Sequence, residues 1–224
     1  MEDLHLAGAR FRPLPCGALW WPERRLLVVA DLHLEKGSSL ARAGWLVPPY
    51  DSADSLHRLE AAQRATGAEV IVALGDSFHD RDGPGRLPVT ARDSIDRLLR
   101  RARILWVVGN HDGESAARLG GSAVDELALD GIIFRHEACA AERGPEVSGH
   151  YHPAVHLALA PGRRAFRRCF ALAGQRLVLP AYGSYAGGLD VRSPDLVAAL
   201  GEAPVAILPT ARGLLRVPPE RTLA

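Results

Sequence analysis

Three short apolar runs set the pattern of the first half of the chain: Leu26–Ala30 (LLVVA), Val70–Leu74 (VIVAL) and residues 104–108 (ILWVV). Each is brief, rich in aliphatic and β-branched residues, and stops abruptly at polar or glycine positions, which predicts buried strands. Between them the spacing becomes helical. Asp51 reads as an N-cap for a helix whose buried face carries Leu56, Leu59 and Ala62, and Gly67 ends it. A second helix starts from the capping-box-like Thr90 to Asp93, with Ile95, Leu98, Leu99 and Ala102 on its inner face. Residues 18–21 (ALWW) predict a first strand, turning through residues 22–25 to pair with Leu26–Ala30. Residues 35–50 read as a loop with one short helix stopped by Pro48-Pro49, and residues 80–88 as a Gly- and Pro-rich loop.

From Ala123 onward the texture changes to short strands: AVDELAL, IIFRH, AVHLAL, RCFALAG, RLVLP and VAILP, with turns at Asp130-Gly131, Pro161-Gly162 and Gly174-Gln175. Strand–helix alternation followed by a meander predicts two sheets face to face with helices outside.

At 224 residues, 47% hydrophobic and 24% charged, the chain fits one globular domain spanning 1–224. A formal net charge of +1 gives no global pull toward polyanions, so any such binding needs a local positive site, bound cations included. No stretch approaches the roughly 20 apolar residues of a membrane span. The opening MEDLHLAGARF lacks the layout of a signal peptide, and Cys16, Cys139 and Cys169 are scattered without zinc-like spacing. The expectation is a cytoplasmic protein with reduced cysteines and no membrane partner. Lys36 is the sole lysine, which excludes a P-loop.

The chemistry sits where the strands end. The three long runs deliver Asp31-Leu32-His33, Gly75-Asp76 and Gly109-Asn110-His111-Asp112; later runs deliver His136 and His150-Tyr151-His152. Open α/β sheets place their ligands at this rim. Carboxylate, imidazole and amide oxygen together suit hard or borderline divalent ions, and no cysteine belongs to the set. One histidine alone would read as a packed or surface residue, and His5, His57 and His156 keep that reading. The others recur at strand ends.

This ordered set, D-x-H, G-D, G-N-H-D, H and G-H-x-H, resembles the calcineurin-like metallophosphoesterase superfamily over residues 31–152. The resemblance implies an α/β fold, a four-layer α/β/β/α sandwich, and two divalent ions, Mn²⁺ first with Fe²⁺, Zn²⁺ or Mg²⁺ as alternatives. Position by position it assigns Asp31, His33 and His152 to one ion, Asp76 to both, and Asn110, His136 and His150 to the other. His111 would protonate the leaving group after attack by a metal-bridging hydroxide.

The second motif, Leu74 to Asp80 (LGDSFHD), lacks the G-D-x-x-D-R-G of Ser/Thr phosphatases. Its Phe78-His79 pair is similar to repair nucleases of the SbcD type, which would place His79 beside His111; Asp80 is the alternative occupant. Residues 30–39 (ADLHLEKGSS), GNHD, 148–153 (SGHYHP) and 179–191 (LPAYGSYAGGLDV) together look like the ligase-associated DNA damage response endonucleases (PdeM). That family implies DNA as substrate and association with a DNA ligase, a helicase and an exonuclease. Two rival readings stay open: a small-molecule phosphatase or nucleotide phosphodiesterase on the same site, and a non-catalytic scaffold.

Two features have both a functional and an ordinary reading. The Gly-rich, aromatic residues 182–188 could lay tyrosines over a sugar or base, or pack as an ordinary turn. Arg163, Arg164, Arg167 and Arg168 around Phe166 could meet phosphates, or decorate an exposed hairpin.

Overall fold

A computed structural model describes residues 2–142, 144–160 and 163–222. The long apolar runs are parallel neighbours at the centre of a seven-stranded sheet, β1 to β7 in chain order. Its members are β1 (Leu4–Leu6), β2 (Ala9–Pro13), β3 (Leu19–Trp21), β4 (Leu26–Ala30), β5 (Val70–Leu74), β6 (Arg103–Val107) and β7 (Ser122–Val124). Between β4 and β5 lie α1 (Lys36–Arg42) and α2 (Asp51–Thr66); between β5 and β6 lie α3 (Gly83–Arg86) and α4 (Val89–Arg101).

The second sheet takes β8 (Leu127–Leu129), β9 (Ile132–Phe134) and β10 (Glu146–Ser148) from the middle of the chain. Two further strands, β11 (Pro153–Ala160) and β12 (Arg163–Arg168), form a hairpin outside it. The chain then gives β13 (Phe170–Ala173), β14 (Arg176–Val178), β15 (Leu189–Asp190), α5 (Pro194–Leu200), β16 (Val205–Thr210) and β17 (Gly213–Val217). The second sheet has the order β17-β16-β13-β14-β10-β9-β8, and a third, three-stranded sheet is β12-β11-β15.

The alternation of side chains explains the layers. In β4, Leu27 and Val29 face α2 and α4, packing with Leu56, Leu59, Ile95 and Leu98. Val28 and Ala30 face the other sheet, packing among Phe134, Val147, Phe170 and Leu177. Both faces are dry, so the strand reads as an unbroken apolar run. Behind the second sheet a third cluster joins Ala171, Val178 and Ala206 to Leu196 and Leu200 of α5 and to Val155 of β11. This is the four-layer α/β/β/α sandwich, with α5 and the small third sheet sharing its outermost layer.

Several local expectations are revised. The strand at Leu19–Trp21 is the third, because Ala7 and Gly8, both at positive φ, make a tight turn between β1 and β2. Leu4, Leu6 and Phe11 alternate with polar residues there, a period-two signal too short to stand out. Asp51 does not cap α2; it is the first helical residue, buried, and its carboxylate accepts the Gly37 N–H at 3.0 Å. Helix α4 begins at Val89 behind Pro88, so Thr90 is inside it. The loop at 80–88 contains α3, and α5 is an element the pattern did not predict. The Pro161-Gly162 turn lies outside the described residues. Cys16, Cys139 and Cys169 are free thiols. Among the described residues no helix is long and apolar enough to cross a membrane.

Candidate metal centre

Parallel pairing of β4, β5 and β6 puts the ends of all three strands at one rim, and parallel β9 and β10 of the second sheet deliver to the same place. Among the described residues, six of the nine non-glycine residues with positive φ are here: Asp31, His33, Glu35, Asp76, His150 and His152. Left-handed backbone costs about 1–3 kcal/mol per residue and persists where surrounding contacts over-determine it. The turns therefore aim side chains at the cost of local backbone comfort. Gly109 permits the closest approach, since a Cβ there would collide with the backbone nitrogen and Oδ1 of Asp76. A Cβ on Gly183 would likewise strike the Leu32 carbonyl, where residues 181–183 cross the end of β4.

Six predicted ligands converge as two groups, Asp31–His33–His152 and Asp76–His136–His150, with the ligating atoms of each group within 4.8 Å of one another. In the first, His33 Nε2 and His152 Nε2 are 3.2 Å apart, and Asp31 Oδ1 is 3.7 Å from the latter. In the second, His150 Nδ1 and His136 Nε2 are 3.2 Å apart, and Asp76 Oδ2 is 3.6 Å from the His136 nitrogen. Each cluster turns two imidazole nitrogens and a carboxylate toward one point. One shared proton cannot satisfy three such lone-pair donors, whereas a divalent cation does. The residues fit the ions.

Protonation favours the same use. Burial, with nearby His152 and Lys36 adding to it, pushes His33 from 6.5 down to about 2, so its imidazole is neutral. Burial also lowers His150. His136 Nδ1 lies 3.1 Å from the Leu74 carbonyl, an acceptor that places the proton on Nδ1 and leaves Nε2 as a lone pair. His150 Nε2 stands 3.9 Å from Glu137 Oε1, which favours the complementary tautomer, with Nδ1 free.

The carboxylates also brace the loops. Asp31 Oδ2 accepts the His150 N–H at 2.9 Å, and Asp76 Oδ1 accepts the His111 N–H at 2.9 Å. His111 itself is half-exposed, its Nε2 3.7 Å from Asp76 Oδ2. The rings of His79 and His111 are nearly parallel, 5.6 Å between centroids, and His33 lies 5.3 Å from His111. Asp80 is otherwise engaged: Arg86 clamps it through two bonds of 2.9 and 2.7 Å, which hold its carboxyl down at about 2. Asn110 lies in the turn between Gly109 and His111 and is exposed.

Two residues near the centre were given no role from the sequence, and a third, Arg168, differs from its expected one. Glu137 follows His136 directly, and the His-Glu pair was its signal. Asp112, the last letter of G-N-H-D, accepts the Phe78 N–H at 2.9 Å and ties the β5 and β6 loops together; burial raises its carboxyl to about 6. Arg168 turns inward and donates to the carbonyls of Ala181 (3.0 Å) and Ala186 (2.5 Å), so it braces residues 181–186 instead of meeting phosphate. Tyr182 is fully buried, with the Arg58 guanidinium 4.7 Å from its ring centre, and cannot touch a base. Tyr185 donates to the Pro48 carbonyl at 2.5 Å.

Fold and centre together define a metallophosphoesterase. Residues 24–161 match the calcineurin-like phosphoesterase family, and the chain belongs to that family. The crystal structure of the Pseudomonas putida nuclease MPE is similar at 28% identity with a TM-score of 0.72, covering 92% of this chain and 96% of that one. The E. coli phosphoesterase Yfce covers 89% of this chain and 96% of its own at 15% identity, with a TM-score of 0.43. No curated protein matches the chain in sequence.

Proposed function

We propose that the protein is a phosphodiesterase acting on DNA, an endonuclease that cuts single-stranded or damaged strands in repair. The observation that carries this reading is the pairing of the two ligand groups with His111 at an open rim, in a chain similar to the Pseudomonas putida nuclease over nearly its whole length. Asp31, His33 and His152 would hold one ion; His136, His150 and the Asn110 amide oxygen the other, with Asp76 serving both. When bound, two divalent ions, Mn²⁺ first, neutralise phosphate charge and make water acidic enough to act at neutral pH. His111, anchored through its N–H on Asp76, would reach the phosphate from its exposed edge and give a proton to the leaving oxygen. His79, stacked beside it, would limit the orientations of that imidazole. A DNA ligase, a helicase and an exonuclease are the partners that the sequence resemblance suggests for such an activity.

The experiment is direct. Bis(p-nitrophenyl) phosphate, p-nitrophenyl phosphate and a circular single-stranded DNA are each incubated with Mn²⁺ and with chelator. The expected result is chelator-sensitive activity dominated by the diester, with linearisation of the circle. Dominance of the monoester would move the protein to a phosphatase reading, and inactivity without bound ions to a scaffold.

A further inference from the structure

A cavity of about 800 Å³ opens directly beside the centre. One wall is the segment from His150 to His152, which contributes one imidazole to each ligand group and the Tyr151 ring between them. The facing walls are residues 137–140 and α5, with Asp195, Ala198 and Ala199, and Leu189 closes one side. The walls are braced from behind. Buried Arg176 donates to the Ala199 carbonyl at 2.6 Å and to the Cys139 carbonyl at 2.8 Å, fixing α5 against the 137–140 segment. The space is therefore preformed.

Its chemistry is one-sided. Among the described residues no lysine or arginine lines it; the carboxylates there are Glu137 and Asp195. Tyr151 Oη donates to Glu137 at 3.2 Å, and Glu137 also faces His150, so that carboxylate is already engaged. Asp195 is exposed and makes no ion pair among the described residues. Ala138, Ala140, Ala198 and Ala199 contribute small side chains to the lining. Away from the His150–His152 wall, this lining offers a phosphate no cation among the described residues and accepts a planar group that carries N–H donors.

We propose that this cavity receives the nucleobase next to the scissile phosphate, with the Asp195 carboxylate accepting from its exocyclic amine. This rests on the nuclease reading above. Adenine, cytosine and guanine offer that donor. Thymine offers carbonyl oxygens flanking a single N–H and is disfavoured by the carboxylate. The cavity thereby gives the enzyme a base preference at one position beside the cut, while the chemistry stays with the ligand groups and His111.

The test maps cleavage in a pool of random single-stranded oligonucleotides with Mn²⁺, using the full chain and two variants. Wild type is expected to show thymine depleted at one flanking position, and Asp195→Asn to remove that depletion there and nowhere else. Ala198→Trp, which fills the space from an exposed helical position, should lower the ratio of kcat/KM on oligonucleotide to kcat/KM on bis(p-nitrophenyl) phosphate by about tenfold, the worth of one lost base contact. Identical cleavage maps for wild type and Asp195→Asn, or an unchanged ratio in Ala198→Trp, would overturn the pocket and leave the nuclease reading standing. A wild-type protein that hydrolyses the small diester but leaves every oligonucleotide intact would overturn both.

Discussion

The two ligand groups have the same composition, one aspartate and two histidines, but they are built differently. In Asp76–His136–His150 each imidazole has a second partner for its far nitrogen, the Leu74 carbonyl for one and Glu137 for the other. In Asp31–His33–His152 the far nitrogen of His33 is buried without a partner among the described residues. Outer partners fix tautomer and ring orientation and raise ligand basicity. The second group is therefore preorganised by the protein, whereas the first would owe its order to burial and to a bound ion. Asp76 carries a further load, because it also anchors the His111 backbone. Loss of charge should hurt most at Asp76, and removal of an outer partner should separate the affinities of the two groups.

The largest effect is expected from Asp76→Ala. It removes the carboxylate of the preorganised group and the acceptor of the His111 N–H together. Hydrolysis should fall to background on every substrate, and metal content measured by mass spectrometry should drop below two ions per chain. A variant that kept both ions would show that Asp76 is dispensable and that the groups are independent. His111→Ala comes next. Turnover of DNA should fall about 10²- to 10⁴-fold, as for loss of a general acid. Metal content should not change, and the loss on bis(p-nitrophenyl) phosphate should be small, since p-nitrophenolate leaves without a proton. An equal loss on both substrates would assign His111 to phosphate binding.

The difference between the groups was only half legible in the chain. The candidate site was readable because its residues follow a short apolar run or a glycine, so a strand end marks the place of Asp31, Asp76 and His111. The three central strands and the layering were readable for the same reason, as both faces of each are buried. Outer partners leave no such mark. Leu74 acts through its carbonyl, which any residue has, and Glu137 and Asp112 earn their roles only once two distant loops meet. Strands β1 and β2 and helix α5 were missed because three to seven residues hold too little periodicity to rise above a polar background. Arg168 was misplaced, and Tyr182 was left open between a base contact and turn packing, because exposure in a Gly- and Arg-rich stretch cannot be told from sequence spacing when the stretch folds back over the sheet.

A smaller effect sharpens the comparison from the outside. Glu137→Gln keeps the shape of the side chain and removes the charge that faces His150 Nε2. The expected result is about tenfold weaker binding of one ion, the usual scale for losing an outer partner of a ligand. Titration of the metal-free protein should resolve one weakened step and one unchanged step. If both steps weakened equally, or neither did, the claim that the second group owes its order to Glu137 would fail.

The smallest effect concerns the metal-free protein and the first group. His33 has a folded-state pKa far below its ordinary 6.5, near 2, chiefly because it is buried. Between those limits the unfolded chain binds a proton that the fold refuses, so stability must decline as pH falls from 6.5 and be level above it. Asn suits the replacement, since His33 has φ of 43° and Asn tolerates the left-handed region. Urea unfolding of the metal-free protein at pH 8 and pH 5 should show a smaller loss of stability in His33→Asn than in wild type. With Mn²⁺ present, wild type should be more stable at both pH values, with the gain shrinking at pH 5 as protons compete for the remaining ligands. An identical pH response in wild type and variant without metal would mean that His33 is hydrated in the empty centre, and the contrast between a self-ordered group and an ion-ordered one would have to be drawn from the outer partners alone.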